Sequence, residues 1–262
     1  MENEKSDTIK LNERDKFRKK LMENILKNLS DTPLVLKGGS ALYLGYGLNR
    51  FSEDLDFDSL KKLNLINKIK SSVLPDIVID DIHIKKDTDT LSRYIVNYHI
   101  QGTDIKDVLK LEVSYRTPVN EEQVIIKDGI RLLSIERIID NKLKAAYDGE
   151  NIRTKSRDLF DLHFLASKYS EHFDLDLAKR LNDFAKEPDK LVSRYRNDTN
   201  FDPLLKEIMD IELVALELNE IANQIYINKQ IEKCASSKLV TLTDNISQEE
   251  KDESANQYSF KP

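Results

Sequence analysis

The sequence predicts an α+β fold, with a mixed sheet and flanking helices followed by a helical C-terminal half. Strand-like alternation of apolar and polar residues recurs between about residues 34 and 116. Helical periodicity replaces it from Ser134 onward. The chain also has only 7 glycines and 6 prolines with 34% charged residues, which is typical of a helix-rich globular protein rather than a disordered or fibrous one.

The first half of the chain contains one amphipathic helix and several strand patterns. A helix is predicted over 9–29, ending at "SDTP", from apolar residues at every fourth position: Phe17, Leu21, Ile25 and Leu29. The stretch "LVLKGGSALYLGYG" predicts a short strand, a glycine turn and a helix that ends near Gly47. Further strands are predicted for "DLDFD" and for residues 76–84, 93–100 and 108–116.

The second half is predicted to be helical, with helices over 134–148, 157–169, 174–185 and about 202–232. Residues 236–262 are polar and lack a sustained period, which favours a loosely ordered tail with "KLVTL" as a candidate edge strand. We therefore predict an α/β domain over 1–130, a helical domain over 131–235 and this tail. Ligands would bind in the cleft between the two domains.

Composition excludes several classes of protein. The single Cys234 rules out an internal disulfide framework and a cysteine-based zinc site, and fits a reducing cytoplasm. The chain has no apolar run of about eighteen residues and no signal-peptide pattern at its start, so neither membrane insertion nor secretion is expected. The net charge of −6 restricts any nucleic-acid contact to a local basic cleft, and no DNA binding is expected.

The corner "KGGS" is a candidate phosphate site. Gly38 and Gly39 allow a sharp turn and leave no side chain in the way of a ligand. Ser40 can cap the helix that follows. Backbone N–H groups, a hydroxyl and a positive helix end would then meet at one point, as polyphosphate binding requires. Taken alone, the same residues are also common as ordinary turn chemistry between a strand and a helix.

Two aspartates follow this corner on a predicted strand. Asp54 and Asp56 are two residues apart and therefore project from one face, while Leu55 and Phe57 point into the core. Adjacent like charges repel, and hard carboxylate oxygens suit Mg²⁺, so the pair predicts a metal site. The alternative is a solvated strand face that Asp58 continues.

Glu112 is a candidate third carboxylate. It shares a strand face with Lys110 and Arg116, and it would lie beside the aspartates if the two strands are neighbours. Three carboxylates on neighbouring strands can bind one or two metal ions in a phosphoryl-transfer site. In the alternative interpretation, Glu112 is only the ion-pair partner of Lys110 or Arg116.

The order of these motifs resembles the nucleotidyltransferase superfamily, in which a glycine-glycine-serine corner precedes D-x-D on a strand and a third acid on a later strand. More narrowly, "KGGSALYLGYGLNRFSEDLDFD", "KLEVS" and "IDNKLKAAYDGENIRTKSRDLFDLHFL" resemble the AbiEii toxin nucleotidyltransferases of type IV toxin–antitoxin systems. The resemblance covers about residues 30–170. Glu112 stands where the wider superfamily usually has an aspartate.

The helical half contributes a lysine in an unusual position. Lys142 lies in the middle of an apolar helix face, so it should reach an anion, either a protein carboxylate or a nucleotide phosphate. In the next helix, Asp158 projects among apolar residues and Asp161 at the edge, near the end where acids favour the helix dipole anyway.

The resemblance implies functional roles for particular residues. It implies a functional Lys142 and an active-site R-D-x-x-D pattern at Arg157, Asp158 and Asp161. The predicted catalytic residues are Asp54, Asp56, Glu112, Lys142, Asp158 and Asp161, of which the first three bind metal. The predicted nucleotide-binding residues are Gly38, Gly39, Ser40, Arg50, Ser52, Lys142 and Arg157. Positive charge for phosphates or an RNA end would come from Arg50, Arg153, Lys155 and Arg157.

The resulting hypothesis is a Mg²⁺-dependent transferase that moves a nucleoside monophosphate from an NTP to an acceptor hydroxyl. The resemblance implies that the acceptor is the 3′ end of tRNA, that translation is blocked, and that a cognate antitoxin exists. Three alternatives stay open: transfer to a small molecule in a closed pocket, transfer to a protein hydroxyl, and a catalytically silent module that binds a partner.

Overall fold

The computed structural model describes the backbone of residues 11–257 and the side chains of residues 11–236. Its centre is a seven-stranded mixed sheet. The strands are β1 (Val35–Lys37), β2 (Leu55–Asp58), β3 (Ile77–Asp87), β4 (Leu91–Ile100), β5 (Lys106–Ser114), β6 (Val124–Lys127) and β7 (Ile130–Leu133). Their order across the sheet is β3-β4-β5-β2-β1-β7-β6. The predicted α+β class with a mixed sheet is confirmed.

Eight α-helices surround and follow this sheet in the described residues: α1 (Glu13–Asn28), α2 (Gly38–Gly45), α3 (Ile66–Lys70), α4 (Ile135–Leu143), α5 (Ser156–Lys168), α6 (Leu175–Ala185), α7 (Pro188–Phe201) and α8 (Ile211–Gln257). A π-helical turn over Lys144–Asp148 continues α4, so the predicted helix over 134–148 is accounted for by both pieces. The helices predicted over 157–169 and 174–185 match α5 and α6 closely.

The middle of the sheet carries the polar residues of interest. β2 pairs with β1 in the antiparallel sense and with β5 in the parallel sense. Leu55 and Phe57 are buried in the core, as their alternation with Asp54 and Asp56 predicts. The short strand β2 therefore presents its carboxylates on one face and anchors itself with the other.

One continuous hydrophobic core joins the sheet to the C-terminal helices. Leu36 and Leu111 of the sheet belong to the same buried cluster as Ile139 of α4, Leu162 of α5 and Leu218 of α8. Each such side chain contributes about 1.5–3 kcal/mol of transfer free energy when it is fully buried. The helical half is thus held against the sheet by apolar packing, which fixes where α4 and α5 lie relative to β2.

A buried polar cluster fixes α1 against the sheet. The Arg18 guanidinium donates to both carboxylate oxygens of Asp107 at 2.9 and 2.6 Å, and the Tyr98 hydroxyl donates to the same carboxylate at 2.6 Å. Burial alone would raise the pKa of Asp107, but hydrogen bonds from Arg14, Arg18 and Tyr98 hold it well below its usual value. The cluster tethers α1 to the start of β5.

Several sequence-based predictions need correction. "KLVTL" lies within α8 and is not an edge strand. The last long helix begins at Ile211 rather than near residue 202, because turns that start at Pro203 occupy residues 203–208. The short helix α3, the β6–β7 hairpin and α7 were not predicted. Residues 1–10, where the first helix was predicted to begin, and 258–262, in the predicted tail, lie outside the described residues.

Among the described residues, no helix combines the length and apolar character that a bilayer crossing requires.

Candidate active site

A polar cleft with two connected chambers lies between the sheet and the C-terminal helices. The sheet-side chamber has a volume of about 480 Å³, and the helix-side chamber about 430 Å³. Five residues line both chambers and so mark the point where they meet: Gly39, Asp56, Lys110, Lys142 and Arg153. The sheet-side chamber also contains Lys37, Arg93 and Glu112. The helix-side chamber also contains Asp54, Lys155 and Arg157.

The glycine corner opens directly into this cleft. Gly38 has φ +67°, a left-handed conformation that L side chains rarely adopt, and it begins α2 immediately after β1. A Cβ on Gly38 would stand 3.6 Å from Oδ2 of Asp56. A Cβ on Gly39 would stand 3.0 Å from both Arg50 Nη2 and Ser52 Oγ. The two glycines therefore bring a helix N-terminus close to the aspartate without an intervening side chain.

Ser40 does not cap this helix, contrary to the prediction. The helix already begins at Gly38, and Lys37 at its N-cap makes no side-chain capping bond. The buried Ser40 hydroxyl instead donates to the backbone carbonyl of Asp54, and it lies 3.0 Å from Ser52 Oγ. Ser40 and Ser52 thus hold the segment that leads into β2, and Ser52 also lines the helix-side chamber.

The carboxylates of β2 and β5 are adjacent, as the sequence-based argument requires. In the parallel pairing of these strands, Asp56 is the register partner of Glu112. Asp54 lies two residues before Asp56 and lines the helix-side chamber. Burial, reinforced by Asp54 and Glu112, raises the pKa of Asp56, although Lys110 opposes the shift. A buried carboxylate beside two other carboxylates favours an added cation.

Two of the three carboxylates have a cationic partner. Lys110 Nζ lies 2.6 Å from Asp54 Oδ2. Arg93 on β4 donates to Glu112 through Nε at 2.8 Å and contacts it through Nη2 at 2.6 Å. The predicted alternative, that Glu112 pairs with Lys110 or Arg116, is wrong because the neighbouring strand supplies a different cation. Asp56 makes no ion pair within the described residues.

The donor set suits a hard divalent cation. Mg²⁺ binds through one or two carboxylates together with phosphate oxygens and water, and Asp54, Asp56 and Glu112 offer such oxygens. In the conformation described, no three carboxylate, histidine or cysteine side chains among residues 11–236 converge as a metal cage. Asp54 and Glu112 are turned toward Lys110 and Arg93, so a metal ion would have to displace these cations.

Lys142, which lines both chambers, forms a buried ionic cluster with Asp158 and Asp161. Lys142 Nζ lies 2.9 Å from Asp158 Oδ1 and 2.5 Å from Asp161 Oδ2, which confirms that the lysine reaches an anion. Burial would lower the pKa of Lys142, but Asp161 and Asp158 raise it above its usual value. The ammonium group is therefore held charged at the edge of both chambers.

Arg50 forms a buried ion pair with Asp161, whose burial differs from the expectation. Arg50 donates to Asp161 Oδ1 through Nε at 2.7 Å and to Oδ2 through Nη2 at 2.6 Å. Asp161 was placed at the helix edge by its periodicity, yet its side chain is fully buried. The Arg50 guanidinium thus pairs with a protein carboxylate, and the residue also lines the helix-side chamber.

Asp158 receives a second cation from the loop before α5. Arg153 Nε donates to Asp158 Oδ2 at 2.7 Å. Burial alone would raise the pKa of Asp158, but Lys142 and Arg153 lower it to about 2. Arg157, predicted to bind nucleotide, pairs with Asp202 at 2.6 Å and with Glu53 at 3.4 Å at the helix-side rim. Glu53 also accepts a hydrogen bond from Arg18 at 3.0 Å, so it links α1 and α5 to the segment that precedes β2.

Sequence reasoning did not assign Arg93 and Lys110 to the site. Lys110 lies two residues before Glu112 on the same strand face, which was a usable signal. Arg93 is the register partner of Glu112 across the β4–β5 pair, and no local pattern in the sequence could reveal that pairing.

Comparison with known proteins decides the family. A model of the AbiEii nucleotidyl transferase toxins of type IV toxin–antitoxin systems matches residues 20–245. The chain belongs to the AbiEii family. It is therefore a nucleotidyltransferase of a toxin family, and family membership implies a cognate antitoxin as partner.

Solved structures agree with this assignment. The crystal structure of JHP933 from Helicobacter pylori is 55% identical, covers 87% of this chain and 99% of its own, and superposes with a TM-score of 0.86. That of a "putative nucleotidyltransferase from H. pylori" is 57% identical, covers 84% of this chain and 98% of its own, and has a TM-score of 0.82. No curated protein matches the sequence significantly.

Proposed function

We propose that this AbiEii-family protein is a Mg²⁺-dependent toxin that transfers a nucleoside monophosphate from an NTP to the 3′-terminal hydroxyl of tRNA. The observation that carries the proposal is the parallel register of Asp56 and Glu112 beside the glycine corner. This arrangement brings carboxylate oxygens and a helix N-terminus to one point in an open polar cleft, where a metal–triphosphate complex can be held.

Asp54, Asp56 and Glu112 would bind the metal. When bound, Mg²⁺ supplies charge neutralisation at the triphosphate and orients it for in-line displacement of pyrophosphate. Gly38 and Gly39 line the sheet-side chamber at the N-terminus of α2, where backbone N–H groups would suit phosphate oxygens. Ser40 and Ser52 would act indirectly, since they hold the segment that carries Asp54.

The helical half would complete the electrostatics of the site. Lys142 lines both chambers and remains charged between Asp158 and Asp161, so it can stabilise negative charge that develops on the phosphates. In this role the two aspartates orient the lysine and do not touch the substrate. Arg50 would hold the Asp161 carboxylate in place through their buried ion pair, which is a positioning role.

A tRNA acceptor is supported by the open form of the cleft and its basic rim. Arg153, Lys155 and Arg157 lie along the helix-side chamber, where a single-stranded RNA end could approach Asp54 and Asp56. A small-molecule acceptor would require a closed pocket instead. A cytoplasmic site of action follows from a tRNA substrate and from neutralisation by a cognate antitoxin.

The direct test is transfer of label from each of the four α-labelled NTPs to total bacterial tRNA, with Mg²⁺ or with excess chelator. Wild type should label tRNA in the presence of Mg²⁺ but not in excess chelator, and Asp56→Asn should label it in neither condition. Asp76→Asn is the matched control, because it removes an exposed carboxylate whose ion pair with Lys20 at 3.5 Å lies outside the cleft. Label that wild type transfers to protein instead of tRNA, or to no acceptor at all, would reject tRNA as the acceptor.

A further inference from the structure

We propose that Arg93 and Lys110 bind the triphosphate of the nucleotide. In the absence of nucleotide and metal, they pair instead with the carboxylates that would bind the metal. This inference rests on the proposed function, because it concerns the same cleft. In the structure Arg93 pairs with Glu112 and Lys110 pairs with Asp54.

Charge is distributed unequally between the two chambers. The sheet-side chamber is lined by three carboxylates, Asp56, Asp58 and Glu112, and by six cations, Lys37, Arg93, Lys110, Arg137, Lys142 and Arg153. The helix-side chamber is lined by five carboxylates, Glu53, Asp54, Asp56, Asp158 and Asp202, and by six cations, Arg50, Lys110, Lys142, Arg153, Lys155 and Arg157. A polyanion is therefore favoured on the sheet side, where Arg93 lies.

The pairs made by Arg93 and Lys110 can open. The exposed fractions of the side chains are 32% for Arg93 and 26% for Glu112, and 34% for Lys110 and 41% for Asp54. Ion pairs with this degree of solvent contact contribute little net stability, so their rearrangement costs little. The deeper pair between Arg50 and Asp161 has exposed fractions of only 3% and 0% and cannot exchange partners as easily.

An exchange of partners would keep every charge compensated. Without ligands, Lys110 and Arg93 offset the repulsion among the three clustered carboxylates. A bound divalent cation would take the oxygens of Asp54 and Glu112 and release the ammonium and guanidinium groups. The released groups would then face the sheet-side chamber, where triphosphate oxygens can accept their hydrogen bonds.

This exchange predicts effects of opposite sign on two ligands. Arg93→Gln and Lys110→Gln remove a cation that competes with metal for a carboxylate, so affinity for free Mn²⁺ should rise. The same changes remove a phosphate ligand, so affinity for a metal–nucleotide complex should fall by roughly tenfold. A purely structural role for these side chains would not move the two affinities in opposite directions.

The experiment measures Mn²⁺ binding to the full chain by electron paramagnetic resonance. In parallel, calorimetry measures binding of each of the four α,β-methylene NTP analogues with Mg²⁺. Wild type, Arg93→Gln, Lys110→Gln and the conservative Arg93→Lys are compared, and Arg93→Lys should recover part of the nucleotide affinity. Lys62→Gln is the control, since Lys62 pairs with Asp87 at 2.9 Å and does not line the cleft.

The outcomes separate this inference from the function on which it rests. Tighter Mn²⁺ binding with weaker nucleotide binding in both Gln variants, and neither change in Lys62→Gln, supports the exchange. A second outcome is that wild type binds the analogues and the Gln variants bind Mn²⁺ and nucleotide as wild type does. A third is that wild type binds the analogues and the Gln variants bind neither ligand. Either of these overturns the inference and leaves the proposed function standing. If wild type binds none of the four analogues, both are overturned.

Discussion

Asp56 on β2 and Glu112 on β5 are register partners in parallel strands, although 56 residues of sequence separate them. The pairing sets Glu112, which lines the sheet-side chamber, beside Asp56, which lines both chambers of the cleft. Burial, together with the neighbouring Asp54 and Glu112 carboxylates, raises the pKa of Asp56, so the folded protein disfavours the ionised form of this side chain. Such a costly arrangement is typical of a functional site rather than of a stabilising one.

Asp56→Asn should separate activity from stability. The change removes a charge that its neighbours disfavour, so the free energy of unfolding should stay the same or rise slightly. Nucleotidyl transfer should fall by at least about 100-fold, because a metal ligand is lost. Denaturant unfolding and the transfer assay on the same preparation measure both effects. A large loss of stability would show that Asp56 is structural instead.

Asp161→Asn should be strongly destabilising. The substitution leaves the buried Arg50 guanidinium and Lys142 ammonium without a shared counter-charge. We expect a loss of about 3–5 kcal/mol in the free energy of unfolding. Glu212→Gln, which removes an exposed pair with Arg196, should cost less than about 1 kcal/mol. Equal effects of the two changes in urea unfolding would contradict a structural role for the buried cluster.

Acid stability should depend on Asp158. Its pKa is lowered from 3.8 to about 2 in the folded protein, so its ionised form stabilises the fold. That stabilisation is complete above the unfolded-state pKa and is lost as the pH falls from about 4 toward 2. Unfolding free energies of wild type and Asp158→Asn should therefore differ most above pH 5, and the gap should narrow by about 2 kcal/mol toward pH 2. A gap that is constant with pH would reject the assigned pKa shift.

Gly38→Ala should affect the site as well as the fold. Gly38 and Gly47 both have positive φ, at +67° and +78°, so alanine at either position should cost roughly 1–2 kcal/mol in backbone strain. Only the Cβ at Gly38 would stand near Asp56, whereas that at Gly47 would meet nothing within 4 Å. Nucleotide binding should thus weaken in Gly38→Ala alone. Equal binding by the two variants would show that the corner does not face the ligand.

The features that the sequence predicted correctly are those with local physical causes. The alternation of apolar and acidic residues correctly predicted which face of β2 is buried. The position of Lys142 on an apolar helix face correctly predicted that its ammonium group contacts an anion. The β6–β7 hairpin was also predictable, since Asp128 and Gly129 form a turn with φ of 52° and 77° between apolar strands, and this signal was missed.

The remaining features depend on contacts between distant parts of the chain. Arg50 reaches Asp161 across 111 residues, and helical periodicity alone placed that aspartate at a solvent edge. Arg93 meets Glu112 through the β4–β5 register, which is set by the whole sheet. Neither pairing can be predicted from the local sequence, so the sequence indicated these carboxylates but not that Arg50 and Arg93 pair with them.

The central claim is that the cleft transfers a nucleotide to the 3′ hydroxyl of tRNA. The most direct measurement is the intact mass of a purified tRNA pool after incubation with the protein, Mg²⁺ and the four NTPs, compared with the same pool whose terminal diol has been oxidised by periodate. The account predicts a gain of one or more nucleoside monophosphates on untreated tRNA and none on oxidised tRNA. An equal gain on both pools, or no gain on either, would contradict it.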